Sequence, residues 1–165
     1  MRSAPAPFTL WLRGAAFTVV VPLIVGGWLP ISIADGHPAA DWWRAGWVLV
    51  AGGALTYLLC LVRFIGAGGT PSIYFARPLR FVLGEEPPRL VTHGLYDRTR
   101  NPMYLGVVTA IAGLAIAYAS WRIAAYGVGL FVFLNVVVRF IEEPHLRHVR
   151  GPEYDEYCRR VPRWI

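Results

Sequence analysis

Four apolar runs constrain this chain more than any other feature. They cover residues 14–33, 45–62, 103–120 and 123–141. A helix needs roughly 20 apolar residues to cross a hydrocarbon core about 30 Å thick. The first run reaches that length, and flanking Trp, Tyr and Arg extend the other three. No run alternates apolar with polar residues, which argues against a membrane β-barrel. Composition agrees, because only 16% of residues are charged where a soluble domain carries about 25%. The 165 residues suffice for a single membrane domain. The expected fold class is therefore all-α integral membrane, with about four transmembrane helices.

The first run also admits a second reading. Arg2 and Arg13 precede it, and "SIA" at residues 32–34 has the small residues of a signal-peptide cleavage site. The run exceeds the usual signal core of about 7–15 residues, which favours a retained first span.

All 16 basic residues are arginines, and their placement sets the expected sidedness. The connection from residue 63 to residue 100 carries Arg63, Arg77, Arg80, Arg89, Arg98 and Arg100. The tail carries Arg139, Arg147, Arg150, Arg159, Arg160 and Arg163. The connections at 34–44 and 120–122 hold one arginine each. By the positive-inside rule, the long connection, the tail and both termini face the cytoplasm. The expected location is a bacterial inner membrane, crossed several times. The arginines flank apolar spans and form no basic face, so anionic lipid headgroups are expected partners and nucleic acid is not. Cys60 lies in an apolar run and Cys158 in the tail, a pattern that indicates neither a disulfide nor a metal site.

Within the long connection, "GAGGTPS" (residues 66–72) and "EEPP" (residues 85–88) break helices. In the tail, Tyr154, Tyr157, Cys158 and Val161 follow the i, i+3, i+4, i+7 spacing of one helix face. Pro152 suits its first turn, and Pro162 stops it. A short C-terminal amphipathic helix, lying against the membrane or the loop, is expected.

Two polar groups stand at span ends. The fourth span ends "NVVVRFIEEPHL", where Arg139 and Glu143 are four residues apart and share a face of a continuing helix. On the plainest reading, Arg139 snorkels to the interface and the glutamates form a solvated helix end. The third span opens "RNPMYLG", placing Arg100, Asn101 and Pro102 at its mouth on the same expected face. Pro102 is suited to a first helical turn, where its missing N–H leaves nothing unpaired.

The segment "LVTHGLYDRTRNPMYLG", followed by "EEPHL" and "GPEYDEYCRRVPRW", resembles the isoprenylcysteine carboxyl methyltransferase and phospholipid methyltransferase family. These are small integral-membrane enzymes that use S-adenosylmethionine. The resemblance covers nearly half the chain and implies a core at 66–165 preceded by a helical pair at 1–65. It also implies a cofactor site on the cytoplasmic face. It assigns cofactor contacts to Arg89, Leu90, Val91, Tyr96, Arg100, Asn101, Pro102, Met103, Tyr104 and Glu143. Arg139 falls to the acceptor substrate, so Arg139 and Glu143 are the expected catalytic pair. The expected acceptor is lipophilic, either a prenyl-cysteine carboxylate or a lipid headgroup, and no metal is implied.

Two positions depart from the family pattern, Asn101 and Pro88, each standing where histidine is usual. Asn101 can donate and accept hydrogen bonds but cannot take up a proton at neutral pH. The chemistry of the remaining residues suits the cofactor. A carboxylate matches its ammonium or hydroxyls, an arginine matches its carboxylate, and tyrosine faces favour the sulfonium. Two other readings share some features. A nicotinamide-dependent sterol-type reductase has a similar "RxPxYxG" and tail, and a non-catalytic scaffold could keep the fold.

Overall fold

The computed structural model describes residues 8, 12, 19–34, 43–69 and 87–165. Most of the long connection (70–86), the opening of the first apolar run (14–18) and residues 35–42 lie outside them. The retained-span and signal-peptide readings rest partly on these residues.

The described residues are helical, with no strand among them. Helix α1 is π-wound over Val19–Trp28 and α-helical over Leu29–Ser32. Helix α2 is Trp43–Gly66, α3 is Pro102–Ala117 and α4 is Trp121–Val137. A π turn, Val138–Glu142, joins α4 to α5, Glu143–Arg150, and α6 is Pro152–Arg160. A 3-10 turn at Gly94–Asp97 leads toward α3.

Two helical stretches are long and apolar enough to cross a membrane: Trp43–Gly66, with 24 residues, and the continuous run Trp121–Arg150, with 30. Pro22–Ser32 and Pro102–Ala117 are shorter apolar helices. At 1.5 Å per residue the 16 residues of α3 reach about 24 Å, short of a full hydrocarbon core. Its ends explain this. Pro102 starts it, and at its far end Ala119 takes a left-handed φ of 46°. Ser120 N–H closes back on the Ala115 carbonyl at 3.0 Å, the helix-ending pattern that a left-handed residue permits.

Both wide turns end just before a proline, and the cause is local. A proline inside a helix lacks its N–H and crowds the carbonyl four residues back. Pro144 follows the Val138–Glu142 turn, where Glu143 N–H bonds the Val138 carbonyl five residues back. Pro30 follows Val19–Trp28, and in π winding the Val25 carbonyl would await the N–H of residue 30. Tyr126 Oη supplies the missing donor, at 2.8 Å. That bond ties α4 to α1.

Helices α2 and α3 pack backbone to backbone through glycine. A Cβ on Gly113 would stand 2.5 Å from the Gly46 carbonyl oxygen, and one on Gly106 would stand 2.8 Å from that of Gly53. Below this seam, Tyr57, Cys60, Leu61 and Ile65 of α2 enclose Tyr96 and Met103 in an apolar cluster. A second cluster joins Ile111 and Leu114 of α3 to Ile123 of α4. Val48, Leu55 and Val62 on α2, with Val128, Val132 and Val136 on α4, are exposed. Such a contiguous apolar exterior suits lipid.

The amphipathic tail helix forms where the spacing predicts it, and its apolar face turns inward onto protein. Tyr154, Tyr157 and Val161 are buried together, packed by Leu90 from the loop and Leu146 from α5. Gly151 makes the corner at φ 55°, ψ −132°, a conformation that a Cβ disfavours. Val161 is extended (φ −120°, ψ 126°), as the residue before a proline tends to be.

Candidate functional site

The mouth of α3, the end of the long loop, the α4–α5 junction and the tail meet at one end of the bundle. The tail crosses the mouth of α3 as an extended strap. Arg100 N–H bonds the Pro162 carbonyl at 3.0 Å. The Arg163 carbonyl accepts from Thr99 Oγ1 at 3.1 Å and from Asn101 Nδ2 at 3.0 Å. Asn101 stands at the N-cap of α3 without capping it through its side chain. Its amide is used on the strap, a contact for which a neutral donor suffices.

Glu143 is the centre of charge. Its side chain is 3% exposed and surrounded by guanidinium groups. Arg163 binds it through two bonds, Nε to Oε1 at 2.6 Å and Nη2 to Oε2 at 2.9 Å. Arg100 Nη1 stands 2.9 Å from Oε1, and Arg147 Nη2 is 3.5 Å from Oε2. Arg147 Nε also meets Asp155 Oδ1 at 3.3 Å. Among the described residues, three arginines thus converge on Glu143, and one of them also meets Asp155. A buried carboxylate is tolerated only when paired and hydrogen-bonded in this way. The bond to Glu143 raises the pKa of Arg163 above its usual value.

The neighbouring glutamate has a different partner. Tyr104 Oη donates a hydrogen bond to Glu142 Oε1. The π turn before Pro144 separates the roles of the pair, with Glu142 turned to α3 and Glu143 to the arginines. It also separates Arg139 from Glu143, which a continuous α-helix would have put on one face. Arg139 is exposed, its guanidinium carbon 5.6 Å from the Phe140 ring centroid. Phe140 is itself exposed.

The structure therefore brings Arg100, Asn101 and Glu143 into one network, with Tyr104 beside it through Glu142. Tyr96 and Met103 are buried in the α2 cluster, against which Val91 packs. Tyr96 offers its carbonyl to Tyr157 Oη at 2.8 Å. Leu90 packs on the tail helix, Pro102 is buried at the start of α3, and Arg89 is exposed. Burial raises the pKa of both Tyr154 and Tyr157, so α6 presents neutral phenols to its neighbours.

Sequence reasoning counted Arg163 and Arg147 only toward sidedness and missed their place at Glu143. The available signal was local: Arg163 stands between Pro162 and Trp164, two residues suited to packing. Trp164 is indeed anchored, its Nε1 3.1 Å from Asn135 Oδ1 and its ring 5.1 Å from that of Phe131. Cys158 also enters the network, its Sγ 2.8 Å from Arg100 Nη1; both cysteines are free. No group of three or more His, Cys, Asp or Glu that could hold a metal occurs among the described residues.

Among the described residues two buried arginine donors stay unsatisfied, Arg150 Nε beside the loop and Arg100 Nε at this site. A buried guanidinium N–H without a partner suits an anionic group.

Comparison with known proteins meets this geometry from another direction. A nickel-cobalt-cadmium resistance protein, NccN, of Alcaligenes xylosoxydans xylosoxydans is 34% identical over 164 residues, 97% of this chain and 68% of that protein. Methanethiol S-methyltransferase 1 of Bradyrhizobium diazoefficiens is 29% identical over 119 residues, 71% of this chain and 37% of that protein. This chain thus spans little more than a third of the second relative's length. No solved structure matches. The model of the phospholipid methyltransferase family matches residues 43–153, from the first residue of α2 into α6. That match takes in the two candidate spans, the mouth of α3 and the glutamate pair, and this membrane protein belongs to the phospholipid methyltransferase family.

Proposed function

We propose that the protein transfers a methyl group from S-adenosylmethionine to a lipophilic acceptor at the cytoplasmic face of the membrane. The observation that carries this reading is the convergence, at one end of the bundle, of Arg100 and Tyr104 with Glu142 and Glu143. When bound, S-adenosylmethionine supplies an electrophilic methyl carbon on a positively charged sulfur. The residues present fit such a group. The unpartnered Arg100 Nε suits its carboxylate. Tyr104 and Glu142 offer a polar edge for its ammonium or hydroxyls.

Glu143 serves by holding Arg100, because its own oxygens are already occupied by guanidinium groups. Asn101 fixes the start of α3 against the tail, and Pro102 sets the direction of that helix. Leu90, Val91, Tyr96 and Met103 pack the loop against α2 and α6 and give the site its apolar wall. Methyl transfer is an in-line displacement, so a rigid wall that aligns donor and acceptor contributes directly to rate. Arg89, exposed beside this wall, is the remaining candidate for contact with the cofactor.

Arg139 belongs to the acceptor side. It projects among exposed apolar residues of α4 and the π turn, where a tail-anchored acceptor would approach through the hydrocarbon. Its planar guanidinium can steer a carbonyl or anionic headgroup, which Lys cannot match bidentately. Arg139→Lys should keep cofactor affinity and lose turnover at least tenfold, about 1.4 kcal/mol of barrier. Wild-type turnover in that variant would make Arg139 a membrane anchor.

The deciding experiment is a titration in detergent with S-adenosylhomocysteine and, separately, NADPH. Binding of the first alone supports methyl transfer, binding of NADPH alone supports a reductase, and binding of neither supports a scaffold. Radiolabelled methyl transfer to a membrane lipid extract, run beside a short alkyl thiol, then distinguishes a lipid acceptor from a thiol of the kind the second relative is named for.

A further inference from the structure

The tail beyond α6 lies past the residues matched by the family model, which end at 153, yet it supplies the tightest contact in the charge network. Arg163 reaches the site in two ways. Its guanidinium holds Glu143 through two bonds of 2.6 and 2.9 Å. Its carbonyl accepts from Thr99 and Asn101 at the mouth of α3. The residue is held on both sides: Pro162 accepts from Arg100 N–H, and Trp164 is fixed to Phe131 and Asn135 of α4. A planar, two-point grip from an anchored backbone leaves the carboxylate little freedom, because both of its oxygens are addressed at once.

We propose that Arg163 is a positioning residue of the cofactor site. By fixing Glu143 it fixes the partner of Arg100, and so aims the Arg100 Nε–H, a buried donor at this site that no other described group satisfies. This rests on the methyltransferase reading above. A structural ion pair alone would contribute to stability and leave cofactor affinity untouched. A positioning role puts the effect on affinity, and requires it to pass through Glu143.

That requirement defines the test. The full chain in detergent is titrated with S-adenosylhomocysteine as wild type, Arg163→Met, Glu143→Gln and the double variant, with melting temperature measured alongside. Arg159→Met, an exposed arginine on α6, controls for the lost charge. The expected result is an affinity loss of at least tenfold in each single variant, with the double variant within threefold of the weaker single. Arg159→Met should stay within twofold of wild type. Arg163→Met with wild-type affinity overturns the proposal, as do single-variant losses that multiply in the double. Should Arg163→Met fail to fold, Arg163→Lys is read against the same thresholds, since Lys keeps the charge but not the two-point grip. A wild type that binds no S-adenosylhomocysteine overturns the cofactor reading and this inference with it. A wild type that binds, with unaffected Arg163 variants, overturns this inference alone.

Discussion

The α2–α3 seam and the strap over the mouth of α3 solve the same problem with opposite means. At the seam, two helices touch because side chains are missing, with Gly46 and Gly53 facing Gly113 and Gly106. At the strap, distant segments touch because charged side chains satisfy one another around Glu143. Lipid gives little hydrophobic drive for one apolar helix to join another, so close backbone approach has to supply the attraction. At the helix ends, polar contacts are available and specific, so they can place individual atoms. The seam holds the fold, and the strap arranges the site.

The largest effect should come from filling the seam. Gly113→Leu forces a side chain where even a Cβ would stand 2.5 Å from a carbonyl oxygen. A backbone atom cannot swing aside as a side chain can, so a loss above about 3 kcal/mol is expected, at the upper end for overpacking. Loss of the folded, monodisperse protein in detergent would show it. A melting temperature near wild type would mean that α2 and α3 can separate cheaply, and the contrast would collapse.

Breaking the strap should instead weaken the ligand more than the fold. Glu143→Gln removes a charge from the arginine network while nearly preserving shape. Binding of S-adenosylhomocysteine should weaken by about 1.5–3 kcal/mol, the range for hydrogen bonds to a charged group. Comparable affinity in wild type and variant would reduce Glu143 to a structural ion pair.

The smallest effect concerns how α6 is held beneath the strap. The Tyr157 hydroxyl donates to the Tyr96 carbonyl, and burial raises its pKa. An unfolded tyrosine ionises near pH 10, while the folded one keeps its proton to higher pH. The stabilisation is therefore complete below about pH 10 and declines as pH rises beyond it. Tyr157→Phe should cost about 1 kcal/mol at neutral pH and flatten the alkaline loss of stability. A variant with the wild-type alkaline slope would show that Tyr157 does not drive it.

Much of this was legible in the residues. Long apolar runs foretold helices, because a backbone in lipid must satisfy its own hydrogen bonds. Prolines marked the starts of α3 and α6, and the tail's i, i+3, i+4, i+7 spacing gave α6 its buried face. Arg100, Asn101 and Glu143 were expected near one another, and they are. Other features were not legible. The expected shared face of Arg139 and Glu143 assumed an unbroken α-helix, and the π turn ahead of Pro144 removed that assumption. Arg163 could not be placed, since a charged residue three positions past the end of a helix carries no sign of its partner twenty residues back.

By itself the sequence determined what depends on neighbours along the chain: helix formation, helix starts at proline, the arginine-rich end and the apolar face of α6. Only the tertiary structure decided which of several arginines holds Glu143, that Glu142 meets Tyr104, and that Asn101 serves the tail. The reason is physical. Helix periodicity and proline sterics act over four or five residues and leave a repeating trace. A salt bridge is chosen by which long side chains arrive at one buried carboxylate, and that choice exists only after α3, α4 and the tail have packed.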